Sequence, residues 1–201
     1  MKGLLVDFGG VLTTNVFDSF REFCLAEGLE RDAMGGLFRN DPEALRLVRG
    51  LETGSIGEDD FGERFGELLG VENRVGLVDR MFAGLQEDER MLGALRSARA
   101  AGIRTGLISN SMGAGRYDRE RFPELFDGVV ISGDVGLHKP QPEIFLLGCE
   151  KVGLEPGECV FVDDLKENCA GAEAVGMTAV LHRGAETTIP ELERLLGVGL
   201  S

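Results

Sequence analysis

The chain has 201 residues, of which 43% are hydrophobic and 28% charged, a composition typical of a globular protein with one core and a small insertion. Its formal net charge of −14 argues against nucleic acid or an anionic membrane as partner, because both require clustered Lys and Arg. The four cysteines lack metal-site spacing, so we expect reduced thiols in a cytoplasmic protein. The sequence reaches Asp7 too soon for a signal peptide, and no apolar run approaches the ~18 residues of a membrane span.

The first predicted element is a strand in MKGLLVDFGGVLTTN, with Leu4, Leu5 and Val6 in the core and Asp7 at the carboxyl end. Further short apolar runs predict strands at 104–110, 127–132, 159–164 and 177–182. Helical patterns lie between them at 88–102, 141–153 and 166–176. This alternation indicates an α/β fold with a doubly wound, Rossmann-like parallel sheet and right-handed crossovers.

The segment 15–88 interrupts the alternation. It contains helical patterns such as VFDSFREFCLAEG and EDDFGERFGELLG but no convincing strand. We therefore predict a Rossmann-like core formed by 1–14 and 89–201, with an inserted all-helical cap formed by 15–88. A separately packed segment beside strand ends is positioned to act as a lid.

Polar residues follow four of the predicted strands, at the edge where open parallel sheets bind their ligands. In chain order they are Asp7, Ser109 with Asn110, Lys139, and the adjacent pair Asp163 and Asp164. Taken singly, a strand-end Asp or Ser-Asn can shape a turn, and a lysine is usually solvated. The adjacent carboxylates are more informative, because they repel each other at the end of an apolar strand unless a cation joins them.

The order Asp, Ser/Thr, Lys, Asp-Asp along such a sheet resembles the haloacid dehalogenase (HAD) superfamily over the whole chain. The segments DFGGVL, LISNS, HKPQPEIF and FVDDLKEN look most like the branch with a small helical cap after the first motif. That branch holds the phosphatase domain of soluble epoxide hydrolases and bacterial sugar-1-phosphate phosphatases. The resemblance implies a Mg²⁺-dependent phosphatase that hydrolyses a small phosphorylated metabolite, a sugar phosphate being one candidate.

The resemblance also implies a role for each matching residue. Asp7 would be the nucleophile that becomes an aspartyl-phosphate, and Lys139 would neutralise it. The phosphate would be bound by Ser109, Asn110, Lys139 and Gly10. The Mg²⁺ ligands would be Asp7, the backbone carbonyl of Gly9, and Asp164, with Asp163 and Asn168 in support. Attack by a carboxylate on a phosphate monoester needs positive charge on physical grounds as well, and Mg²⁺ and lysine supply it.

Gly9 departs from the family pattern, which often has a second aspartate two residues after the nucleophile to protonate the leaving group. A positioned general acid contributes roughly 10²–10⁴ in rate, so its loss argues against a phosphomutase. A phosphatase remains possible with a good leaving group, or if water, another side chain or the substrate supplies the proton. We expect anomeric sugar phosphates or aryl phosphates to be better substrates than primary alkyl phosphates.

Two alternatives stay open. A 2-haloacid dehalogenase also lacks the second aspartate and needs no metal, although its fourth motif does not present a pair like Asp163–Asp164. The other alternative is a catalytically weak family member that binds metal or phosphate without turnover.

Several further residues have ordinary structural explanations. His138 is expected to shape the loop ahead of Lys139. The side chains of Phe17, Phe20 and Phe23 have the spacing of core residues in the first cap helix. Candidates for contact with a substrate anion are Arg39, Arg46, Arg49 and Arg116, although helix surfaces carry such charges routinely.

Overall fold

The computed structural model describes residues 1–111, 113 and 117–200. Within these residues, the sheet consists of β1 (Gly3–Val6), β2 (Arg104–Ser109), β3 (Gly128–Ile131), β4 (Cys159–Asp163) and β5 (Thr178–Leu181). The strands are all parallel, in the order β3-β2-β1-β4-β5. The central strand β1 pairs Val6 with Leu107 of β2 and with Val162 of β4. The connections run outward from β1 in both directions, so the switch point lies where Asp7 follows β1.

Five helices lie between β1 and the next helix of the core. They are α1 (Val16–Ala26), α2 (Ala33–Asn40), α3 (Pro42–Glu52), α4 (Glu58–Leu69) and α5 (Leu77–Met81). Asn15 and Asp41 start α1 and α3, because their side chains accept hydrogen bonds from the first-turn amides. These helices bury their own apolar cluster, in which Phe20, Phe61 and Phe65 are among the largest side chains.

The chain enters and leaves this helical segment at adjacent points. Thr13 forms an antiparallel bridge with Glu87. The Thr14 amide donates to the Gln86 carbonyl at 2.8 Å, and the Asp88 amide donates to the Leu12 carbonyl at 2.9 Å. The two crossing segments therefore form a short hydrogen-bonded stem between the inserted helices α1–α5 and the sheet.

The remaining helices accompany the sheet. They are α6 (Glu89–Ala100), α7 (Phe122–Leu125), α8 (Ser132–Val135), α9 (Pro142–Val152), α10 (Lys166–Ala174) and α11 (Ala185–Leu196), with single 3₁₀ turns at Arg119–Arg121 and Pro156–Glu158. Leu4 and Val6 pack in one cluster with α6 and α11, whereas Leu5 packs in another with α9 and α10. Both faces of the sheet are thus covered, as the alternation of strands and helices predicts, and the Rossmann-like fold class is confirmed.

Two local features differ from the sequence expectation. The apolar run 127–132 ends as a strand at Ile131, because Ser132 already begins α8. Helix α11 has no counterpart among the predicted elements, since Pro190 lies inside it and interrupts an otherwise helical pattern.

The four cysteines are free and buried. None of the described helices combines the length and apolar character needed to cross a membrane.

Candidate active site

Asp7 stands at the centre of a buried polar cluster. Its amide donates to the Val162 carbonyl at 2.9 Å, which extends the β1–β4 pairing by one bond and fixes the backbone. The residue is 8% exposed to solvent. Its Oδ1 lies 2.8 Å from Lys139 Nζ and 2.7 Å from the Phe8 amide nitrogen. The carboxylate that ends β1 is therefore held in one orientation by an ammonium group and a backbone amide.

Lys139 joins Asp7 to Asp163. Its Nζ lies 2.7 Å from Asp163 Oδ2, and the side chain of Asp163 is inaccessible to solvent. The Leu165 amide and the Asn168 side-chain amide also donate to Asp163, at 2.9 Å and 3.0 Å. Burial alone would lower the pKa of Lys139, but the carboxylates of Asp163 and Asp7 raise it above its usual value. Lys139 thus remains an ammonium ion at neutral pH.

Asp164, the second residue of the pair, lines the cavity beside Asp7. Gly10 has φ +75°, and a Cβ built there would lie 2.5 Å from Asp164 Oδ2. Only glycine can therefore bring the loop after β1 this close to the Asp164 carboxylate. The Gly10 amide donates to Thr13 Oγ1 at 3.1 Å, so it is already engaged within its own loop.

The acidic groups fit a divalent cation. Asp7, Asp163 and Asp164 each offer a carboxylate oxygen, and these oxygens lie within 4.8 Å of one another. Burial, reinforced by the neighbouring carboxylates and opposed by Lys139, raises the pKa of Asp7 to about 7 and that of Asp164 to about 6. Three carboxylates share one lysine in this cluster, and an all-oxygen donor set with surplus negative charge suits Mg²⁺.

Ser109 is the last residue of β2, and Asn110 follows it at the same edge of the sheet. Ser109 Oγ lies 3.0 Å from the hydroxyl of Tyr117. Asn110 Oδ1 accepts the Lys139 amide at 2.8 Å, and Asn110 Nδ2 donates to the Lys139 carbonyl at 3.2 Å. Asn110 therefore fixes the backbone of the lysine. Tyr117 is the one tyrosine of the chain, and no pattern in the sequence signals its proximity to Ser109.

A cavity of about 670 Å³ lies above this cluster. From the core it is lined by Asp7, Phe8, Gly9, Ser109, Asn110, Tyr117, Lys139, Asp164 and Asn168. The inserted helices line it with Val16, Phe17, Phe20, Phe38, Leu45, Val48 and Glu52, and the segment after α5 lines it with Phe82, Leu85, Gln86 and Glu87. The core prediction is wrong for Phe17, which is 38% exposed and faces this cavity. Phe20 and Phe23 are buried in the helical cluster as expected, although Phe20 also contributes to the cavity wall.

Among the described residues of α1–α5, Glu52 is the acidic residue that lines the cavity. Burial raises its pKa to about 7, although Arg49, Lys139 and a hydrogen bond from the Asn110 side chain oppose the increase. Arg49 Nη1 donates to His138 Nε2 at 2.7 Å, and His138 Nδ1 lies 3.0 Å from the Lys139 carbonyl. His138 therefore bridges α3 to the loop that carries Lys139. The local sequence around Glu52 contains no pattern that predicts this arrangement.

The other arginine candidates do not join this site. Arg39 pairs with Asp32, and Arg46 pairs with Glu43, within the inserted helices. Arg116 lies outside the described residues.

Comparisons with known proteins identify the family. A sequence profile of the haloacid dehalogenase-like hydrolases matches residues 1–176. The chain is 30% identical over 151 residues to a sesquiterpene phosphatase of Aspergillus oryzae, which covers 73% of this chain and 77% of that protein. It is 31% identical over 165 residues to acyl-CoA dehydrogenase family member 10 of Mus musculus, covering 78% of this chain but 15% of that protein. The chain thus spans a small part of the second relative.

Solved structures share the fold. A HAD-like family hydrolase of Porphyromonas gingivalis superposes with a TM-score of 0.72 at 25% identity, covering 98% of each chain. A HAD family enzyme of Bacteroides thetaiotaomicron, crystallised with magnesium and inorganic phosphate, gives a TM-score of 0.67 at 23% identity, covering 91% of this chain and 94% of the other. Profile, relatives and fold all support the resemblance first seen in the four strand-end motifs: the chain belongs to the haloacid dehalogenase-like hydrolases.

Proposed function

We propose that the protein is a Mg²⁺-dependent phosphatase that hydrolyses a small phosphate monoester through an aspartyl-phosphate on Asp7. The observation that carries the proposal is the 2.8 Å contact of Asp7 with Lys139 Nζ, at the end of the central strand and beside Asp164. A carboxylate held next to a permanent ammonium group is oriented for attack on an anionic phosphoryl group. Phosphatase relatives such as the Aspergillus oryzae enzyme support the same reaction class.

Several residues have separate roles in the first step, the formation of the aspartyl-phosphate. Asp7 attacks phosphorus, and Lys139 offsets the charge of the carboxylate and of the phosphoryl oxygens. Asp163 and Asn110 keep Lys139 in place through its side chain and its backbone. Ser109 presents a hydroxyl toward the cavity and can donate to a phosphoryl oxygen while accepting from Tyr117.

Mg²⁺ would be held by Asp7, Asp164 and the Gly9 carbonyl, with Asp163 and Asn168 as supports. When bound, the ion supplies positive charge to the phosphoryl oxygens. Asp163 suits a supporting role better than direct ligation, because Lys139, Leu165 and Asn168 already occupy its oxygens. Magnesium in the Bacteroides thetaiotaomicron neighbour fits this assignment.

The helical segment 15–88 would act as a cap on the core formed by 1–14 and 89–201, opening to admit substrate and closing to exclude water. Its cavity wall is predominantly aromatic and aliphatic, so it favours an alcohol with an apolar body. Sugar hydroxyls would find few polar partners on that wall. Aryl and prenyl phosphates both have an apolar body, and the aryl phosphates also have a good leaving group; the sesquiterpene phosphatase relative supports the prenyl class.

The test is phosphate release from 4-nitrophenyl phosphate, farnesyl phosphate, glucose 1-phosphate and glucose 6-phosphate, in Mg²⁺ and in EDTA. We expect release that requires Mg²⁺, is highest with the apolar substrates, and is greater for glucose 1-phosphate than for glucose 6-phosphate. The Asp7→Asn variant should lose at least about 10³-fold in kcat, because it removes the nucleophile. The exposed Asp59→Asn variant is the matched control and should retain wild-type activity.

Other outcomes favour the alternatives. A folded protein that binds Mg²⁺ but releases no phosphate would be a metal-binding family member without turnover. Metal-independent chloride release from 2-haloacids would instead identify a dehalogenase.

A further inference from the structure

The leaving alcohol of a phosphate monoester needs a proton, and the loop after the nucleophile has no side chain to supply one. Gly9 occupies the place of the family's usual acid, and a Cβ built there would lie 2.9 Å from Val16 Cγ2. The space beside the nucleophile is thus filled by an apolar side chain from the first residue of α1. A proton donor must come from another part of the cavity wall.

We propose that Glu52, contributed by the inserted helices, is the general acid that protonates the leaving oxygen and the general base for the attacking water. The inference rests on the proposed phosphatase function. It assigns the missing proton transfer to the opposite wall of the cavity.

Glu52 is selected from the acidic residues that line the cavity in the described part of the chain. Asp7 and Asp164 belong to the nucleophile and metal positions. Glu87 is exposed and pairs with Arg121 at 2.7 Å, and Asp118 is exposed. Glu52 combines partial burial with access to the cavity.

Other proton-bearing groups are less suitable. Burial raises the pKa of Tyr117 to about 12, which makes it a weak acid at neutral pH, and its hydroxyl is bonded to Ser109. Both ring nitrogens of His138 are engaged, one with Arg49 and one with the Lys139 carbonyl.

Hydrogen bonds to the core fix the end of α3 that carries Glu52. The Ser132 hydroxyl donates to the Glu52 carbonyl and accepts the Ser111 amide at 2.7 Å. Two residues later, a Cβ at Gly54 would lie 3.0 Å from the Gly133 carbonyl oxygen, so the backbones of the two segments approach closely there. Glu52 is therefore anchored to the carboxyl end of β3.

The Asn110 amide connects Glu52 to the reaction centre. It lies near enough to the Glu52 carboxyl to lower its pKa, and it hydrogen-bonds both backbone groups of Lys139. The charged and titratable groups that face Glu52 are Arg49 on its own helix, and Lys139 with the adjacent His138 from the loop before α9. The positive charges of Arg49 and Lys139 oppose the effect of burial, and the result is a pKa of about 7 for Glu52, where a group can both give and take a proton.

The two steps balance. In the first, a bond forms between Asp7 and phosphorus while the ester P–O bond breaks, and the leaving oxygen takes the Glu52 proton to become an alcohol. In the second, water attacks phosphorus and gives a proton to the Glu52 carboxylate while the Asp7–phosphorus bond breaks. Inorganic phosphate leaves, and both carboxyl groups return to their starting states.

The test compares kcat/KM for benzyl phosphate and 4-nitrophenyl phosphate in wild type, Glu52→Gln and Glu52→Asp, with Glu43→Gln as control on the same helix. The parameter kcat/KM reports only the phosphorylation of Asp7 if that step is irreversible. Benzyl alcohol is a poor leaving group that needs a proton, whereas 4-nitrophenolate leaves as an anion. We expect Glu52→Gln to lower kcat/KM for benzyl phosphate roughly 10²-fold. For 4-nitrophenyl phosphate the decrease in kcat/KM should be at least tenfold smaller.

The pH profile separates this role from a structural one. Wild-type kcat/KM for benzyl phosphate should decline above about pH 7, and this limb should be absent in Glu52→Gln and present in Glu52→Asp. Equal losses on both substrates, or an unchanged pH limb, would overturn the assignment while leaving the phosphatase intact. Absence of Mg²⁺-dependent release from either substrate in wild type would overturn the phosphatase and this inference together.

Discussion

The two walls of the cavity differ in chemistry. The wall formed by the sheet edge is polar and tightly interconnected: Asp7, Lys139 and Asp163 are joined by contacts of 2.7–2.8 Å. The wall formed by the inserted helices is predominantly apolar and contributes one carboxyl group, that of Glu52, among the described residues. The charged side chains lie at the carboxyl ends of paired strands or, for Lys139, in the loop before α9, whereas the apolar side chains lie on helices that pack around their own cluster. Under the proposed function, the reaction and the choice of substrate would therefore depend on separate walls.

The charged network of the sheet wall should be sensitive to the loss of its cation. Lys139→Met leaves Asp163 buried without an ammonium partner, and we expect the free energy of unfolding to fall by about 3–5 kcal/mol. Urea denaturation at pH 8 measures the loss. Lys166→Met, on the exposed first residue of α10, should change stability by no more than about 0.5 kcal/mol. Equal stability of the two variants would show that the network is not held by the lysine.

Metal binding should stabilise the same wall. At a free Mg²⁺ concentration of 100 times Kd, we expect the free energy of unfolding to rise by about 2.7 kcal/mol. Asp164→Asn removes a proposed ligand and should abolish most of this increase, whereas the exposed Asp60→Asn should keep it. Thermal unfolding across a Mg²⁺ titration measures the effect. An undiminished increase in Asp164→Asn would place the ion elsewhere.

Glu52 should make the free energy of unfolding depend on pH. Its pKa is near 4.5 when unfolded and about 7 when folded, so the folded state binds more protons between these values. Wild type therefore loses stability from this group as pH rises from 4.5 to 7, whereas Glu52→Gln does not. We expect the stability of the variant relative to wild type to increase by about 1–3 kcal/mol between pH 4.5 and pH 8. Urea denaturation without Mg²⁺ at both pH values measures this change, and a constant difference would contradict it.

Phe17 should affect substrate choice more than stability. Because it is partly exposed at the cavity, Phe17→Ala should reduce kcat/KM for farnesyl phosphate about tenfold, which corresponds to ~1.4 kcal/mol of apolar contact. Leu25→Ala, also exposed on α1 but remote from the cavity lining, is the matched control. If the two variants behave alike, the apolar wall does not hold the substrate.

The sheet and its strand-end residues could be predicted from the sequence because they depend on local patterns. Short apolar runs ending in polar residues mark the carboxyl edge, so Asp7, Lys139 and Asp163 could be expected to meet. The inserted helices could be predicted as helices, but the exposure of Phe17 depends on how α1 docks over the sheet. The environment of Glu52 depends on Ser132, 80 residues further along the chain. Such long-range contacts leave no periodic signal in one sequence.

The stem at Thr13 and Glu87 has a consequence for how such proteins diversify. Two hydrogen-bonded antiparallel strands lie about 5 Å apart, a gap that a short turn can close as readily as a long insertion. Helices could therefore be lost, lengthened or exchanged at this junction without shifting the register of any strand. The junction makes the segment beyond it a replaceable module, and graft experiments between related chains would join at these two residues.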